Sequence, residues 1–477
     1  IHFEYLSPFA TLKKPIVKKK IGKIIMQSVV IILSAGMGTR MQSDLPKVLH
    51  KVACEPLLIH SMRTVSQFGA NKTIVVTGHG AEQVARVAIN FDPRTEVVNQ
   101  SKQLGTAHAV NQARETLSNF KGEVFILYGD TPFVEPSTLH KMSKERKDGA
   151  KVVVLGFNTN KEHSYGRLII SNDGSLEEIV EHKDANNLQR KINFCNSGVI
   201  CTDSTLLFEL ISEIENDNAN NEFYLTDIIK SAKNRNLKCV AVECTENEAM
   251  GINSKVDLAN AENYFQTKKR TEMMLKGVTL IAPDTVWFAN DTVIGRDTII
   301  EQNVIFGPET TVESHALIKS FSHIEGAHIS KGAIIGPFAR LRPGAELANN
   351  SKVGNFCEVK KSQVGEGAKI NHLSYVGDTK IGDNANIGAG TITCNYDGVS
   401  KHITEIGDKA FIGSNTSLIA PVRVGNGAMT ASGSVITKNI PDEALGIARS
   451  PQENKLNFAV KFFKRLKAIK VNVKKGK

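Results

Sequence analysis

The chain is 477 residues long, 41% hydrophobic and 23% charged, with a formal net charge of +10. That length exceeds one ordinary core, so two or three domains are expected, and no apolar run is long enough to span a bilayer. The charge sits at the ends, +5 over residues 1–25 and +9 over residues 455–477, leaving −4 between them and excluding a nucleic-acid-binding core.

Seven scattered cysteines without a C-x-x-C pair read as reduced thiols in a cytoplasm, with no zinc site or disulfide frame. Residues 1–25 hold no uninterrupted apolar stretch of signal-peptide type. They are expected to be a non-native or disordered extension, with Met26 as the natural start. Residues 29–33 (VVIIL) have the composition of a strand buried on both faces. The strand ends in Ser34-Ala35-Gly36-Met37-Gly38-Thr39-Arg40, a glycine-rich turn at its carboxyl end, where open α/β sheets bind ligands. Glycines there let backbone N–H groups approach a phosphate with no Cβ in the way. Lys47, behind Pro46, supplies a mobile ammonium beside that cradle, suited to charge moving between phosphates. The spacing fits neither a Walker loop nor the three-glycine dinucleotide fingerprint.

Strand-like residues 73–77 and 124–128 alternate with helix-like residues 81–89 and 107–117. This predicts a largely parallel sheet with helices on both faces, a Rossmann-like α/β domain over residues 26–253. Asp130 follows residues 124–128 at the same edge as the glycine turn. A nucleoside triphosphate brings Mg²⁺, which takes one or two protein carboxylates along with phosphate oxygens, so Asp130 is the candidate metal ligand.

The stretch G-x-G-T-R-M…P-K resembles the signature of sugar-1-phosphate nucleotidyltransferases. Most of the chain is similar to the bacterial bifunctional family of N-acetylglucosamine-1-phosphate uridyltransferase and glucosamine-1-phosphate N-acetyltransferase. The resemblance implies that Leu33, Ala35 and Gly36 contact the uridine nucleotide, that Lys47 serves its phosphates in catalysis, and that Gln100, Gly105 and Thr106 surround the uracil. It implies further that Gly166, Glu181 and Asn196 hold the amino sugar, while Asn253 joins Asp130 on Mg²⁺ beside it. A Glu and an Asn facing sugar hydroxyls make physical sense, because a wrong sugar would leave them unpaired. Ser34, Met37 and Ser197 depart from residues frequent in the family, and the loss of a basic residue at Met37 affects phosphate affinity more than chemistry.

Residues 254–276 lack Gly and Pro and read as a linker helix ended by Gly277, so 254–277 joins the two halves. From Phe288 an apolar residue recurs every six positions, with single steps of five, through Ile294, Ile335, Ile370 and Ile387 to Thr393. It resumes at Ile406 and runs to Ile436, and glycine often follows it. This is the hexapeptide signature of a parallel β-helix, placed over residues 278–445, with the aliphatic residue pointing to the axis. Left-handed winding and a homotrimer are implied by the resemblance. Residues 394–403 (CNYDGVSKHI) break the register and are expected to leave the prism as a loop that reaches a neighbouring copy. The linker helix and the basic tail, residues 446–477, are expected to cap the ends.

Polar residues gather near the break. Acyl transfer to an amine needs a group titrating near neutrality to take the amine proton, and His372 is the candidate base. The count puts Glu358 and Tyr375 on one face and sets Glu358, the partner of the base that the resemblance implies, about three residues away along it. By resemblance, Arg342, Lys360, Tyr375 and Asn386 bind the sugar phosphate, and Ala389, Asn395, Tyr396, Ser414, Ser432 and Arg449 contact acetyl-CoA. The implied enzyme acetylates glucosamine-1-phosphate with acetyl-CoA, then transfers UMP from UTP with Mg²⁺, serving cell-wall precursor synthesis in the cytoplasm. No nucleic-acid partner and no stable membrane insertion are expected. The tail LNFAVKFFKRLKAIKVNVKKGK is compatible with an amphipathic helix on a membrane surface, a solubilising tail, or, by resemblance, a basic cover for the phosphates of coenzyme A. Two other readings share these domains: a single-activity pyrophosphorylase with a structural β-helix, and a non-enzymatic scaffold. Lys360, His372, Tyr375, Asn386 and Arg449 speak against the first, and the intact glycine turn with Asp130 against the second.

Overall fold

The computed structural model describes residues 27–160, 165–218 and 221–475, so the expected extension and start at residues 1–26 lie outside the described residues. The chain divides into two compact units, residues 27–50 with Pro56–Leu258, and Lys51–Glu55 with Ala259–Lys477.

In the first unit β1 (Ser28–Ser34), β2 (Lys72–Thr77), β3 (Glu96–Asn99), β4 (Glu123–Tyr128), β5 (Val152–Asn158), β6 (Arg167–Ile170), β7 (Leu176–Val180), β8 (Phe194–Asp203) and β9 (Cys239–Cys244) form one sheet. Its order is β9-β5-β8-β4-β1-β2-β3, with β6 pairing the start of β8 and β7 pairing β6. β1 is buried along its whole length, as its aliphatic run requires. The sheet is mixed rather than largely parallel. β4-β1-β2-β3 and β5-β9 are parallel, but β8 runs antiparallel to both β4 and β5. The reason is the connection: the chain returns from β5 through the β6–β7 hairpin, without the helical crossover that a parallel neighbour needs. Helix Ala81–Phe91 matches its periodicity. The helix expected at 107–117 is shorter, Thr106–Asn111, and continues as tight turns through bonds such as Ala113 N–H to Val110 O (3.0 Å) and Ser118 N–H to Glu115 O (3.2 Å). Ala113 and Leu117 are buried all the same, so the apolar pattern reported burial and missed the change in hydrogen bonding.

The second unit is a left-handed parallel β-helix. Its short strands stack into three sheets of ten, nine and eight strands, each strand pairing in parallel with the third one onward, except that Met429–Thr430 pairs with the second, Leu445–Gly446. Every position of the six-residue count from Phe288 to Ile436 is buried, and the apolar ones, with buried alanines, valines and Cys357, form one continuous core. The count omitted the first strand, Thr279–Leu280, which pairs with Ile299 and Ile300; a turn at Pro283–Thr285 separates it from the regular spacing.

Helix Lys255–Leu275 ends at Gly277 (φ 88°), with Val278 N–H donating to Met273 O (3.1 Å), a left-handed cap that only glycine adopts without strain. Within the second unit Gln266 Nε2 donates to Phe288 O (2.7 Å) and Arg270 Nε to Val286 O (2.9 Å), while Met273 joins the core, so this helix covers the first coil. Of the tail, only the first residues reach the last coil, with Val435 N–H donating to Ala448 O (3.1 Å). Ile440 and the strand Leu445–Gly446 close that end, and residues 458–471 are exposed throughout. No helix among the described residues is long and apolar enough to cross a membrane.

Candidate active sites

At the carboxyl edge of β1, β2 and β4 lies a cleft of about 290 Å³ lined by Leu33, Ala35, Gly36, Lys47, Gln100, Gly105, Thr106 and Asp130 among others. The turn after β1 is held open by its glycines. Gly38 has φ 62°, and a methyl there would stand 2.7 Å from Lys47 Cβ, so only glycine lets the turn pack against the lysine. At Gly105 (φ 110°) a methyl would strike Phe223 O at 2.5 Å. Gln100 is buried, and its Nε2 donates to Gly105 O (3.0 Å). Three polar lining residues escaped the sequence reading: Gln103, whose Nε2 donates to Ala35 O (2.7 Å), Tyr128 and Glu222. Gln103 lies within the VNQSKQLGTAHA motif and could have been found there; Tyr128 reads only as a strand residue. The departure at Ser34 leaves its hydroxyl buried without a hydrogen-bond partner among the described residues, so it offers the site no donor as placed.

Asp130 is fixed by Ile252 N–H donating to its carbonyl (3.0 Å), and Asn253 by its own N–H donating to Asp257 Oδ2 (3.0 Å). The Lys47 ammonium donates to Asp130 Oδ2 and to Asn253 Oδ1, the latter at 3.1 Å. One carboxylate and one amide oxygen therefore converge on a single cation position. Two hard oxygen ligands with space for phosphate oxygens suit Mg²⁺, so the donor set fits that ion.

Gly166, Glu181 and Asn196 come together beside this cleft. Asn196 N–H donates to Gly166 O (2.9 Å), and a methyl at Gly166 would lie 3.4 Å from Glu181 Oε2. Thr226 Oγ1 donates to Glu181 Oε1 (3.2 Å). Burial pushes the Glu181 carboxyl above its ordinary value, and burial also raises the Tyr128 phenol, with Glu181 adding to it. A carboxyl raised on folding contributes stability that is whole below the unfolded pKa and lost as pH rises through the folded one. Glu181→Gln is therefore expected to raise the melting temperature at neutral pH, to lose that advantage in acid, and to weaken sugar binding; thermal melts at the two pH values and a KM for the sugar phosphate check this.

In the second unit His372 is exposed at a corner of the prism, and Asn355 sits at the same register one coil below. The His372 Nδ1–H donates to Asn355 Oδ1 (2.7 Å), which leaves Nε2 as the basic nitrogen. The expected partner Glu358 is engaged elsewhere: its Oε1 accepts from Arg342 (2.7 Å), and it lies on the next face, in register with Tyr375. The shared face with Tyr375 is as the count placed it, but a left-handed residue at Phe356 (φ 55°) turns the chain between Asn355 and Glu358. Asn355 carries no motif of its own; the coil-to-coil register was the signal that would have found it.

The same corner column continues upward. Register pairs Ile370 with Ile387, Ile387 with Ile412 and Phe411 with Met429, so Asn355, His372, Ala389, Ser414 and Ser432 stack in successive coils, about 4.8 Å apart. Backbone bonds tie the column together: Gly390 N–H to His372 O (3.1 Å), Asn415 N–H to Ala389 O (2.7 Å) and Gly433 N–H to Ser414 O (2.8 Å). Arg449 Cδ would be 3.9 Å from a methyl on Gly433, at the top of the column. Asn386 lies on the strand side of the same corner, paired with Lys369.

On the adjoining face Arg342, Lys360 and Lys401 bring cations together. The Lys401 ammonium lies beside Lys360 and holds it below the ordinary lysine value, with Arg342 adding to the effect, while Glu358 raises Arg342. Lys401 is the second residue that the sequence reading missed in this unit. Gly377 allows the close approach of Tyr375 and Asn395: a methyl there would sit 2.5 Å from the Tyr375 hydroxyl and 2.9 Å from Asn395 Nδ2. Residues 395–403 leave the prism as a hairpin, with a Tyr396–Lys401 bridge, Asp397 paired to His402 (2.7 Å), and Val399 89% exposed at its tip. Asn395 at its base is buried and donates to Asp378.

Residues 30–194 match the MobA-like NTP transferase domain family, and residues 403–438 match the bacterial transferase hexapeptide family (six repeats). The chain is 54% identical over 451 residues to the bifunctional protein GlmU of Ruegeria sp. (strain TM1040), covering 94% of this chain and 100% of the relative. It is 53% identical over 452 residues to that of Roseobacter denitrificans (94% and 100%) and 52% identical over 440 residues to that of Jannaschia sp. (strain CCS1; 92% and 96%). The chain belongs to the bifunctional GlmU family, a sugar-1-phosphate uridylyltransferase and an amino-sugar-1-phosphate N-acetyltransferase on one polypeptide.

Proposed function

We propose that the cleft above β1 is the uridylyl-transfer site and that the corner column through His372 is the acetyl-transfer site. The observation that carries the second assignment is the stacking of Asn355, His372, Ala389, Ser414 and Ser432 at one register. A long thin acyl carrier laid along that column brings its thioester to the imidazole.

In the first site Leu33, Ala35, Gly36, Gln100, Gly105 and Thr106 hold UTP, and Gly166, Glu181 and Asn196 hold N-acetylglucosamine-1-phosphate. Asp130 and Asn253 would hold Mg²⁺, which neutralises triphosphate charge when bound. Lys47 stands on both oxygens, so it is placed to exchange them for phosphate oxygens and meet the charge that develops there. A sugar-phosphate oxygen attacks the α-phosphorus of UTP, a P–O bond forms, and the bond to pyrophosphate breaks. Catalysis here is positioning and electrostatics.

In the second site Arg342, Lys360 and Lys401 hold the phosphate of glucosamine-1-phosphate, with Tyr375 and Asn386 orienting the sugar. His372 Nε2 takes a proton from the amine as its nitrogen attacks the thioester carbonyl; the C–N bond forms, the C–S bond breaks, and the thiolate of coenzyme A is reprotonated. Asn395, Tyr396, Ala389, Ser414, Ser432 and Arg449 contact acetyl-CoA. The exposed hairpin at 395–403 supports a homotrimer in which each loop reaches its neighbour, and we place the enzyme in the cytoplasm.

Assays of pyrophosphate release from UTP and of thiol release from acetyl-CoA, each with its own sugar phosphate, test the reading; absence of either activity overturns the corresponding site. Asn355→Ala is expected to lower kcat for acetylation about tenfold with little change in KM, because the imidazole loses the acceptor that fixes its tautomer. The pH–rate profile should move with it, and uridylyl transfer should not; an unmoved profile would assign Asn355 a structural role only.

A further inference from the structure

Residues 458–471 of the last helix, Phe458–Lys475, are exposed along their whole length. Phe458, Phe462, Leu466 and Ile469 follow one another at spacings of four, four and three, so they lie on one stripe. They are 57%, 46%, 44% and 50% exposed, and the rings of Phe458 and Phe462 stack with centroids 5.9 Å apart. Lys461, Lys464, Arg465, Lys467 and Lys470 are half of the other residues of 458–471, with Val460, Phe463 and Val471 exposed among them, and Glu453 is the last acid of the chain. Residues 450–457 before the helix are exposed and irregular but for the turn that leads into it, a tether rather than a packed element.

An apolar stripe bordered by cations selects its partner. A second copy of the helix would set cation against cation with no acid to pair. A nucleic acid would satisfy the lysines and leave the phenyl rings in water. An anionic lipid interface satisfies both, with the stripe among the acyl chains and the ammonium groups at the headgroups. The helix is too short of apolar residues to cross the bilayer. We propose that Phe458–Lys475 lies in the surface of an anionic membrane and tethers the enzyme there reversibly.

Sedimentation of the full chain with unilamellar vesicles tests this. Binding is expected to vesicles of phosphatidylglycerol mixed with phosphatidylcholine, about tenfold weaker to phosphatidylcholine alone and weaker again as salt rises. The Phe462→Glu/Leu466→Glu double variant should lose at least about tenfold, and a chain ending at residue 457 should lose binding altogether. A circular-dichroism melt of the double variant should match that of the unaltered chain. No sedimentation with the mixed vesicles overturns the proposal. So does salt-sensitive binding that the double variant leaves unchanged, or capture by RNA or polyglutamate where vesicles capture nothing.

Discussion

His372→Ala is expected to lower acetyl transfer by about 10²–10⁴-fold, the range that a positioned general base supplies, while uridylyl transfer is unaltered. The amine of the sugar is protonated or weakly nucleophilic unless a base takes its proton as the C–N bond forms. His372 is exposed at the prism corner, its Nδ1–H is held by Asn355, and its Nε2 is left to accept. The loss should fall on kcat rather than KM, because the proposed phosphate ligands Arg342, Lys360 and Lys401 form a cluster of their own that does not include the imidazole. The separation of effects follows from the division of the chain, since His372 and the nucleotide cleft belong to different compact units. Thiol release and pyrophosphate release measured on the same preparation check it.

The second large effect is on the other reaction. Asp130→Ala is expected to lower uridylyl transfer by about 10²–10³-fold, as loss of a preorganised electrostatic contact does, with acetylation intact. Among the described residues Asp130 is the only carboxylate hydrogen-bonded at the cation position shared with Asn253 Oδ1, and a neutral side chain would leave the Lys47 ammonium with one amide oxygen. Two consequences distinguish a metal ligand from a lysine anchor. The Mg²⁺ concentration needed for half-maximal rate should rise in Asp130→Ala, and Lys47→Ala should slow the reaction while leaving that concentration much nearer its original value. Mg²⁺ titrations of both variants separate the two.

The β-helix was legible because its signal is collective. A six-residue period repeated from Phe288 to Ile436 admits one explanation, and each of those side chains is buried. The strand Thr279–Leu280 was invisible because it stands outside the repeat. In the first unit the buried strands β1, β2 and β4 declared themselves by composition, but the direction of β8 depends on the path taken from β5, which no local pattern records. The sites divided in the same way. Gly38 and Lys47 could be read from chain order alone, since a glycine turn after a buried strand has few uses. Asn355 and Lys401 could not, because each acquires its role from a neighbour a coil or a hairpin away. Glu358 shows the converse: resemblance offered it to His372, while the geometry gives it to Arg342.

The central claim is that two independent sites on one chain act in sequence through a diffusible intermediate. Mixing His372→Ala with Asp130→Ala and supplying glucosamine-1-phosphate, acetyl-CoA, UTP and Mg²⁺ tests it most directly. The mixture is predicted to make UDP-N-acetylglucosamine at a substantial fraction of the unaltered enzyme's rate, with neither variant doing so alone. A mixture as inactive as its components, or either variant completing the sequence by itself, would contradict the account.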